Sequence, residues 1–254
     1  MIQAFIQARM SSTRFPNKVL KKVLDKSILA FLVERVKRAQ HIDQIVILTS
    51  VQTEDDAIEN EAKHLNVKCF RGDLNNVLKR FYDAYIEFPS QHIVRLTADC
   101  PLLDPDILDQ TIEHHLNTQS DYTSNCQSNS FPDGLDVEVF TAKSLKTSYK
   151  LANKPSELEH VTQFIRNHPS DFIINEVCSP VDLSRHRWTV DEPSDFQLIE
   201  EILHCIYPSN PNFSYKDVLD LFAQKPSLLQ INQHFQRNEG LNISLLRDLI
   251  NGYE

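Results

Sequence analysis

Glycine is scarce in this chain of 254 residues and is present only at Gly72, Gly134, Gly240 and Gly252. A dinucleotide-binding turn requires three glycines within six residues, and a Walker A loop requires two glycines five positions apart. The wide spacing of the glycines excludes both motifs. Any phosphate group that this chain binds must therefore be held mainly by side chains.

Cysteine is also sparse, and the five residues are odd in number and far apart in the sequence. They are Cys69, Cys100, Cys126, Cys178 and Cys205. This spacing contains neither a disulfide framework nor the two close pairs of a zinc site. We expect five reduced thiols.

The chain has neither a long apolar run nor an excess of cations. No stretch approaches the length of a membrane span, and the N-terminus lacks the features of a signal peptide. The formal net charge of −9 and the pI near 5.6 argue against a basic surface for a nucleic acid. We expect a cytoplasmic protein that binds neither membranes nor nucleic acid.

The first half of the chain alternates between short apolar runs and amphipathic segments. Buried strands are predicted at residues 2–8, 45–49, 67–70 and 92–97. Helices are predicted at residues 27–40, 53–64, 75–88 and 104–115. Strands that alternate with helices in this way predict an α/β fold with an open, mostly parallel sheet.

The alternation changes after residue 121, where the sheet is expected to become mixed. Residues 131–134 form a predicted turn, and residues 135–140 alternate with period two, which places Asp136 and Glu138 on one face. An extended segment is predicted at 172–177 and a strand at 187–190, and helices are predicted at 142–153, 157–167 and 194–206.

A proline-rich cluster at residues 208–212 marks a break, and two more helices are predicted beyond it, at 215–224 and 243–250. We expect a main domain over residues 1–207 and a small C-terminal helical extension, residues 208–254, packed on the same domain.

The densest polar segment follows the first strand, at residues 7–18, and reads QARMSSTRFPNK. It contains the cations Arg9, Arg14 and Lys18 together with three consecutive hydroxyl side chains. Guanidinium groups bind phosphate oxygens in pairs, and an ammonium acts as a movable point charge. The segment is compatible with a triphosphate site, although taken alone it is better explained as a solvated surface loop.

Two aspartates follow predicted strands at the edge where open parallel sheets bind ligands. Asp99 follows residues 92–97, and Asp191 follows residues 187–190. Both are candidate ligands for Mg²⁺, which prefers one or two carboxylates together with substrate phosphates. A turn or a helix cap explains each aspartate equally well.

Further polar residues suit a substrate but also have simpler explanations. Asp136 and Glu138 would suit hydrogen bonds to sugar hydroxyls, although a half-exposed strand accounts for them. Glu159, His160 and the segment 185–187 would suit an acidic substrate, although a helix surface and a polar strand edge are the simpler interpretation.

Five segments, in this order, resemble one known family: the cytidylyltransferases that include acylneuraminate and 3-deoxy-manno-octulosonate cytidylyltransferases, most closely the spore-coat polysaccharide biosynthesis branch. They are QARMSSTRFPNKVL at 7–20, RLTADCPLLDP at 95–105, FPDGLDVEVF at 131–140, ELEHVTQFIRNHP at 157–169 and RWTVDEPSD at 187–195. The resemblance implies a Rossmann-like, glycosyltransferase-A-like fold of the nucleotide-diphospho-sugar transferase type. It also implies Mg²⁺-dependent transfer of CMP from CTP to a sugar, with release of pyrophosphate, by a homodimer.

The resemblance also implies roles for individual residues. CTP would be bound by Ala8, Arg9, Ser11, Ser12, Arg14, Lys18, Arg71 and Thr97. The catalytic residues would be Arg9, Arg14, Lys18 and Asp99. The metal would be held by Asp99 and Asp191, and the sugar by Asp136, Glu138 and His160.

Two positions depart from the family pattern, which commonly has glycine in place of Asn17 and an acidic residue in place of Asn76. The first departure bears on the geometry of the loop, and the second bears on nucleoside contacts near residues 71–80. The leading hypothesis is a cytidylyltransferase acting on an acidic eight- or nine-carbon sugar in surface-polysaccharide synthesis. A glycosyltransferase with the same sheet and a catalytically silent nucleotide-binding protein are the alternatives.

Overall fold

The computed structural model of the protein describes residues 1–235 and 237–253. Its strands are β1 (Ile2–Gln7), β2 (Lys22–Val23), β3 (Lys26–Ser27), β4 (Gln44–Ser50), β5 (Lys68–Gly72), β6 (His92–Thr97), β7 (Tyr122–Ser124), β8 (Glu138–Thr141) and β9 (Ile174–Glu176). Seven of them form one sheet in the order β5-β4-β1-β6-β8-β7-β9, and β2 and β3 form a small hairpin. Within the large sheet only β8 runs antiparallel to its neighbours. The predicted open, mostly parallel mixed sheet is therefore confirmed.

Helices cover both faces of this sheet. They are α1 (Ile28–Val36), α2 (Asp56–His64), α3 (Val77–Glu87), α4 (Pro105–Asn117), α5 (Ala142–Leu151), α6 (Pro155–Glu159), α7 (Gln163–Asn167), α8 (Pro193–Ile206), α9 (Tyr215–Gln224) and α10 (Glu239–Ile250). Local sequence determines several of their starts. The Ser27 hydroxyl accepts a hydrogen bond from the Ala30 amide at 2.9 Å, and the Asp104 carboxylate caps α4 ahead of Pro105.

Neighbouring residues of β1 contact opposite layers because side chains alternate along a strand. Ile6 packs in a cluster with Leu32 of α1 and Ile112 of α4. Phe5 packs in a second cluster with Phe81 of α3, and the two rings meet edge to face at 5.8 Å. The continuous apolar runs of the central strands are thus explained by burial on both faces.

The predicted strand at 187–190 is wrong, since Arg187 forms only a single bridge with Asp133. The Trp188 amide donates to the Asp133 carbonyl at 2.6 Å, but the Val190 amide donates to the Asp99 carbonyl at 2.8 Å. Because the segment bonds to two different loops, it cannot form a ladder with either. It instead links the turn at Asp133 to the loop at Asp99.

The predicted helix at 157–167 is also wrong in its middle, where His160 leaves the helical conformation. The Thr162 hydroxyl donates to Glu138 of the sheet at 2.6 Å, and Val161 is buried in the core. These contacts separate α6 from α7, so that His160 lies in the connection between the two helices and not on the surface of one continuous helix.

Gly134 allows a close approach between the turn at 131–134 and the segment around Trp188. Its φ angle is +105°, and a Cβ atom at this position would lie 2.5 Å from the Trp188 carbonyl carbon. Glycine is the residue that adopts this conformation without strain. The turn predicted from the sequence therefore packs directly against the backbone of the Trp188 segment.

The C-terminal helices pack on the preceding core. Phe213, Val218 and Phe222 share a cluster with the buried Trp188, and α10 lies against α6. The division of the chain at residue 207 remains a prediction. Among the described residues, no helix has the length and apolar character needed to cross a membrane.

Candidate active site

The sheet places the polar loop and Asp99 side by side. β1 and β6 are parallel neighbours with Gln7 opposite Thr97, so the chain leaves both strands at the same edge. The Ala98 amide donates to the Gln7 carbonyl at 3.0 Å and extends this pairing by one residue. The ligand-binding edge of an open parallel sheet is the carboxyl end of its strands, which is where the loop and Asp99 lie.

A buried aspartate, Asp55, holds the start of the polar loop. Its carboxylate accepts hydrogen bonds from the Met10 amide at 2.8 Å and from the Ser50 amide at 3.0 Å. Asn17 ends the loop in the left-handed conformation, with φ +61°. Asparagine tolerates this conformation better than most residues, so Asn17 preserves the backbone geometry that a glycine would give.

Lys18 lies between the two predicted metal-ligand aspartates. Its Nζ is 2.7 Å from Asp99 Oδ2 and 2.7 Å from Asp191 Oδ1, although the aspartates are 92 positions apart in the sequence. Burial alone would raise the pKa of Asp99, but the Lys18 ammonium outweighs burial and holds that pKa at about 2. The two carboxylates face one position that is occupied by a cation.

Arg187 and Asp195 fix the orientation of Asp191. Arg187 Nη2 is 3.1 Å from Asp191 Oδ2, and its Nε is 2.9 Å from the fully buried Asp195. Asp195 also accepts the Asp191 amide at 3.0 Å. The sequence predicts Arg187 at a polar strand edge, whereas in the structure it is bonded to Asp191 and Asp195 beside the site.

Three connected cavities form one cleft at this edge of the sheet, with Thr97 and His160 lining all three. The loop cavity, of about 230 Å³, lies between the polar loop and α3. The central cavity, also about 230 Å³, contains Asp99 and Asp191. The sheet cavity, of about 170 Å³, lies over β6 and β8. Asp99 and Asp191 line both the loop cavity and the central cavity, and Asp136 lines both the central cavity and the sheet cavity, so the central cavity connects the other two.

Three arginines line the loop cavity: Arg9, Arg14 and Arg80. Arg14 is 3.0 Å from Asp191 and 3.1 Å from Glu239, and its side chain is 38% exposed. Arg80 is buried, and its Nε has no hydrogen-bond partner among the described residues. Burial and the nearby Arg9 lower the pKa of Arg80 to about 10. An anion in this cavity would offset the free-energy cost of burying the Arg80 charge.

Arg80 was missed in the sequence because it lies within an otherwise apolar helix face. It is three positions after Val77 and four before Ala84, both of which are buried. A charged residue at this spacing on an inward face is the signal that identifies it.

The sheet cavity contains the predicted sugar ligands Asp136, Glu138 and His160. Glu138 is ion-paired with Arg95, and its other oxygen accepts the Tyr122 hydroxyl at 2.7 Å. Although burial alone would raise the pKa of Glu138, Arg95 lowers it, and the net pKa is below its ordinary value. Asp136 and His160 are more accessible than Glu138 and present polar atoms to the cleft.

Most of the predicted CTP-binding residues line the loop cavity, namely Ala8, Arg9, Ser12, Arg14, Lys18 and Thr97. Two others do not. Ser11 faces a separate small cavity beside Ser50, and Arg71 is bonded to Asp56 at 2.5 Å and to Glu59 at 3.0 Å. A role for Ser11 and Arg71 in binding CTP remains a prediction.

Asn76, the second departure from the family pattern, caps α3. Its side chain accepts a hydrogen bond from the Lys79 amide at 2.8 Å. An aspartate would make the same bond, so this position has a structural role that asparagine fulfils.

A larger groove, of about 570 Å³, lies at the opposite end of the sheet, where β4 and β5 begin at Gln44 and Lys68. It is lined mostly by apolar side chains and surface lysines. Because parallel strands present ligand sites at their carboxyl ends, we assign the candidate site to the cleft.

The residues around the pair of aspartates fit Mg²⁺. Asp99 and Asp191 supply two carboxylates close to the same position, and the adjacent cavity contains guanidinium groups suited to phosphates. Mg²⁺ in phosphate-transfer sites is commonly shared between one or two carboxylates and the substrate phosphates. Among the described residues, no cluster of three or more His, Cys, Asp or Glu side chains is arranged to hold a metal.

Comparison with known proteins identifies the family of this chain. Residues 3–226 match the cytidylyltransferase family. SpsF, a spore coat polysaccharide biosynthesis protein of Bacillus subtilis, is 33% identical over 228 residues, which are 87% of this chain and 93% of SpsF. A 3-deoxy-manno-octulosonate cytidylyltransferase of Syntrophotalea carbinolica is 30% identical over 111 residues, 44% of each protein.

A solved structure of a cytidylyltransferase from Leptospira borgpetersenii superposes with a TM-score of 0.87 at 33% identity, covering 93% of this chain and 99% of that chain. The shared fold confirms the type of fold that the sequence motifs predicted. The chain therefore belongs to the cytidylyltransferase family.

Proposed function

We propose that this protein transfers CMP from CTP to a hydroxyl group of a sugar and releases pyrophosphate. The observation that carries the proposal is Lys18, whose ammonium lies between Asp99 and Asp191 beside a cavity lined by arginines. A carboxylate pair next to a cluster of cations suits a metal-bound triphosphate better than a neutral ligand.

The reaction forms a bond between the sugar oxygen and the α-phosphorus and breaks the bond from that phosphorus to pyrophosphate. The hydroxyl proton passes to solvent. Such a transfer depends mainly on positioning and charge neutralisation. Arg9, Arg14 and Arg80 would bind the phosphate oxygens. The Lys18 ammonium would neutralise the negative charge that develops on the leaving pyrophosphate. When held by Asp99 and Asp191, Mg²⁺ supplies further neutralisation of the phosphate oxygens.

The acceptor is proposed to be a sugar acid that occupies the sheet cavity. Asp136 and His160 would contact its hydroxyls, and Glu138 would orient Arg95 beside them. Arg166 lines the same cavity and provides positive charge for a carboxylate. The relative that acts on 3-deoxy-manno-octulosonate, according to its name, supports this class of acceptor.

The similarity to SpsF supports a place in surface-polysaccharide synthesis. Nucleotide sugars for such polymers are made where CTP is available, so we propose a cytoplasmic location. A homodimer remains part of the proposal, as expected from the resemblance alone.

The test is a screen for pyrophosphate release with the four nucleoside triphosphates, Mg²⁺ and a panel of sugar acids. We expect release with CTP, together with formation of a CMP-sugar. In Asp99→Asn, turnover should fall at least about tenfold because a metal or charge clamp is lost from the transition state. The exposed Asp220 gives the matched control, Asp220→Asn, which should retain the original rate.

Absence of pyrophosphate with every triphosphate and sugar acid would refute the proposal. A glycosyltransferase with the same sheet would instead release a nucleotide from a nucleotide sugar. A silent nucleotide-binding protein would bind CTP in calorimetry without turnover.

A further inference from the structure

The C-terminal tail, defined here as residues 232–235 and 237–248, lies along the central and sheet cavities. It begins beyond residue 226, where the match to the family ends. Asn238 and Leu241 line both cavities, although they are about 100 positions from the nearest strand of the sheet cavity, β8 (Glu138–Thr141). The tail therefore supplies part of the wall on the side proposed for the acceptor.

Arg237 connects the tail to the turn that carries Asp133 and Asp136. Its Nη2 is hydrogen-bonded to Asp136, its Nη1 donates to the Phe131 carbonyl at 2.9 Å, and its Nε is 3.8 Å from Asp133. The side chain is only 13% exposed. A guanidinium with two carboxylates and a carbonyl around it is held in a single orientation.

Asp133 and Asp136 need this cation because they lie close together on either side of the Gly134 turn. Burial and the charge of Asp136 raise the pKa of Asp133 to about 7 even though Arg187 Nη1 lies 2.9 Å away. Asp136 also faces Glu138 and Arg95, but Arg95 is hydrogen-bonded to Glu138. Arg237 is thus the main cation that balances Asp136.

The tail is anchored on both sides of Arg237. Before it, the buried Asn232 donates to Asp195 at 2.8 Å and to the Arg187 carbonyl at 3.0 Å. After it, the Ser244 hydroxyl lies 3.0 Å from His160 Nε2, and Asp248 accepts the Ser156 amide at 3.2 Å. These contacts fix the position from which Arg237 reaches Asp136.

We propose that Arg237 is a positioning residue for the acceptor: it orients the Asp136 carboxylate toward the sugar hydroxyl, so that the tail completes the acceptor side of the site. The inference rests on the proposed function and adds to it a role for the C-terminal tail. Arg237 lines none of the three cavities itself and acts through Asp136.

The experiment compares Arg237→Gln and Arg237→Lys with the unmodified protein, using the sugar acid that releases pyrophosphate fastest in the screen. In Arg237→Gln, the KM for the sugar acid should rise at least about tenfold, the order expected when a hydrogen bond to a charged group is lost. The KM for CTP should stay within about twofold. Arg237→Lys keeps the charge but loses the paired hydrogen bonds of the guanidinium group. Its KM for the sugar acid should therefore lie between that of the unmodified protein and that of Arg237→Gln. Arg247→Gln removes an exposed cation of the same tail and should match the unmodified protein.

Equal rises in both KM values, or no rise in either, would overturn the positioning role. A second measurement does not depend on turnover. Hydrogen exchange at residues 131–139 should be faster in Arg237→Gln than in Arg247→Gln, because the turn loses its bond to the tail. Equal exchange in the two variants would refute the inference. A protein that turns over no sugar but shows this difference would refute the proposed function and leave the contact between the tail and Asp136 established.

Discussion

Replacement of Lys18 by methionine tests whether the Lys18 ammonium balances the two aspartates. The Lys18 side chain is 10% exposed, and its Nζ is 2.7 Å from both Asp99 and Asp191. Methionine has a similar length but no charge, so it would leave two carboxylates facing each other without a cation. We expect Lys18→Met to be less stable than the unmodified protein at neutral pH and to lose at least about tenfold in turnover.

The size of the effect follows from the pKa of Asp99. Burial opposes ionisation, but Lys18 lowers this pKa from 3.8 to about 2, which corresponds to about 2 kcal/mol of stability. This contribution is complete above the unfolded pKa, near 4, and is lost as the pH falls toward 2. For a chain of this length, a loss of about 2 kcal/mol lowers Tm by about 4–8 °C.

The assay is thermal unfolding of Lys18→Met and the unmodified protein, first at pH 7 and then at pH 3 or below. The difference in Tm should be largest at pH 7 and should shrink at low pH. Addition of Mg²⁺ or Mn²⁺ at pH 7 should raise the Tm of Lys18→Met, because a divalent cation replaces the lost charge. Lys22→Met, which removes an exposed lysine nearby, is the control. An unchanged Tm at pH 7, or a difference that does not depend on pH, would refute the reasoning.

Three further predictions concern the loop, the tail and the buried His115. Asn17→Gly should keep the turnover of the unmodified protein, whereas Asn17→Val should lose most of it, because φ is +61° at this position; equal rates would contradict this. Glu239→Gln should lower the KM for CTP by about two- to fivefold by releasing the partly exposed Arg14, and an unchanged KM in steady-state assays would count against it. Burial and the neighbouring His92 lower the pKa of His115 to about 4, so up to about 3 kcal/mol of stability should be lost as the pH falls from 6.5 to 4. Urea unfolding measures this loss, which should be absent in His115→Gln.

Much of the loop cavity was predictable because its residues follow strands. Once residues 2–8 and 92–97 are recognised as parallel strands, the polar loop and Asp99 must leave the sheet at one edge. Asp191 was expected at the same edge because it follows the predicted strand at 187–190, and the family motifs implied its role beside Asp99. The predicted strand before Asp191 was wrong because Arg187 forms ion pairs with three aspartates. Strand propensity does not take such tertiary contacts into account.

The sheet cavity was less predictable because its contacts join distant segments. Leu158, Val161 and Ile165 have helical spacing, yet Thr162 is bonded to Glu138 and breaks the helix. Arg237 lies in a polar connector with no periodicity, and only the folded chain brings it to Asp136. Sequence patterns report local preferences, whereas these two residues are positioned by tertiary contacts.

The two carboxylates that contact Lys18 lie far from it along the chain. Asp99 is 81 positions from Lys18, and Asp191 is 173 positions away. Closing loops of these lengths costs conformational entropy before either contact can form. During synthesis, β1, β4 and β6 can pair before residue 191 has been made, so the nascent chain would carry Lys18 with only one of its two carboxylates. The ion cluster therefore cannot be complete before residue 191 has been made, and a partly synthesised chain contains the polar loop without the full candidate site.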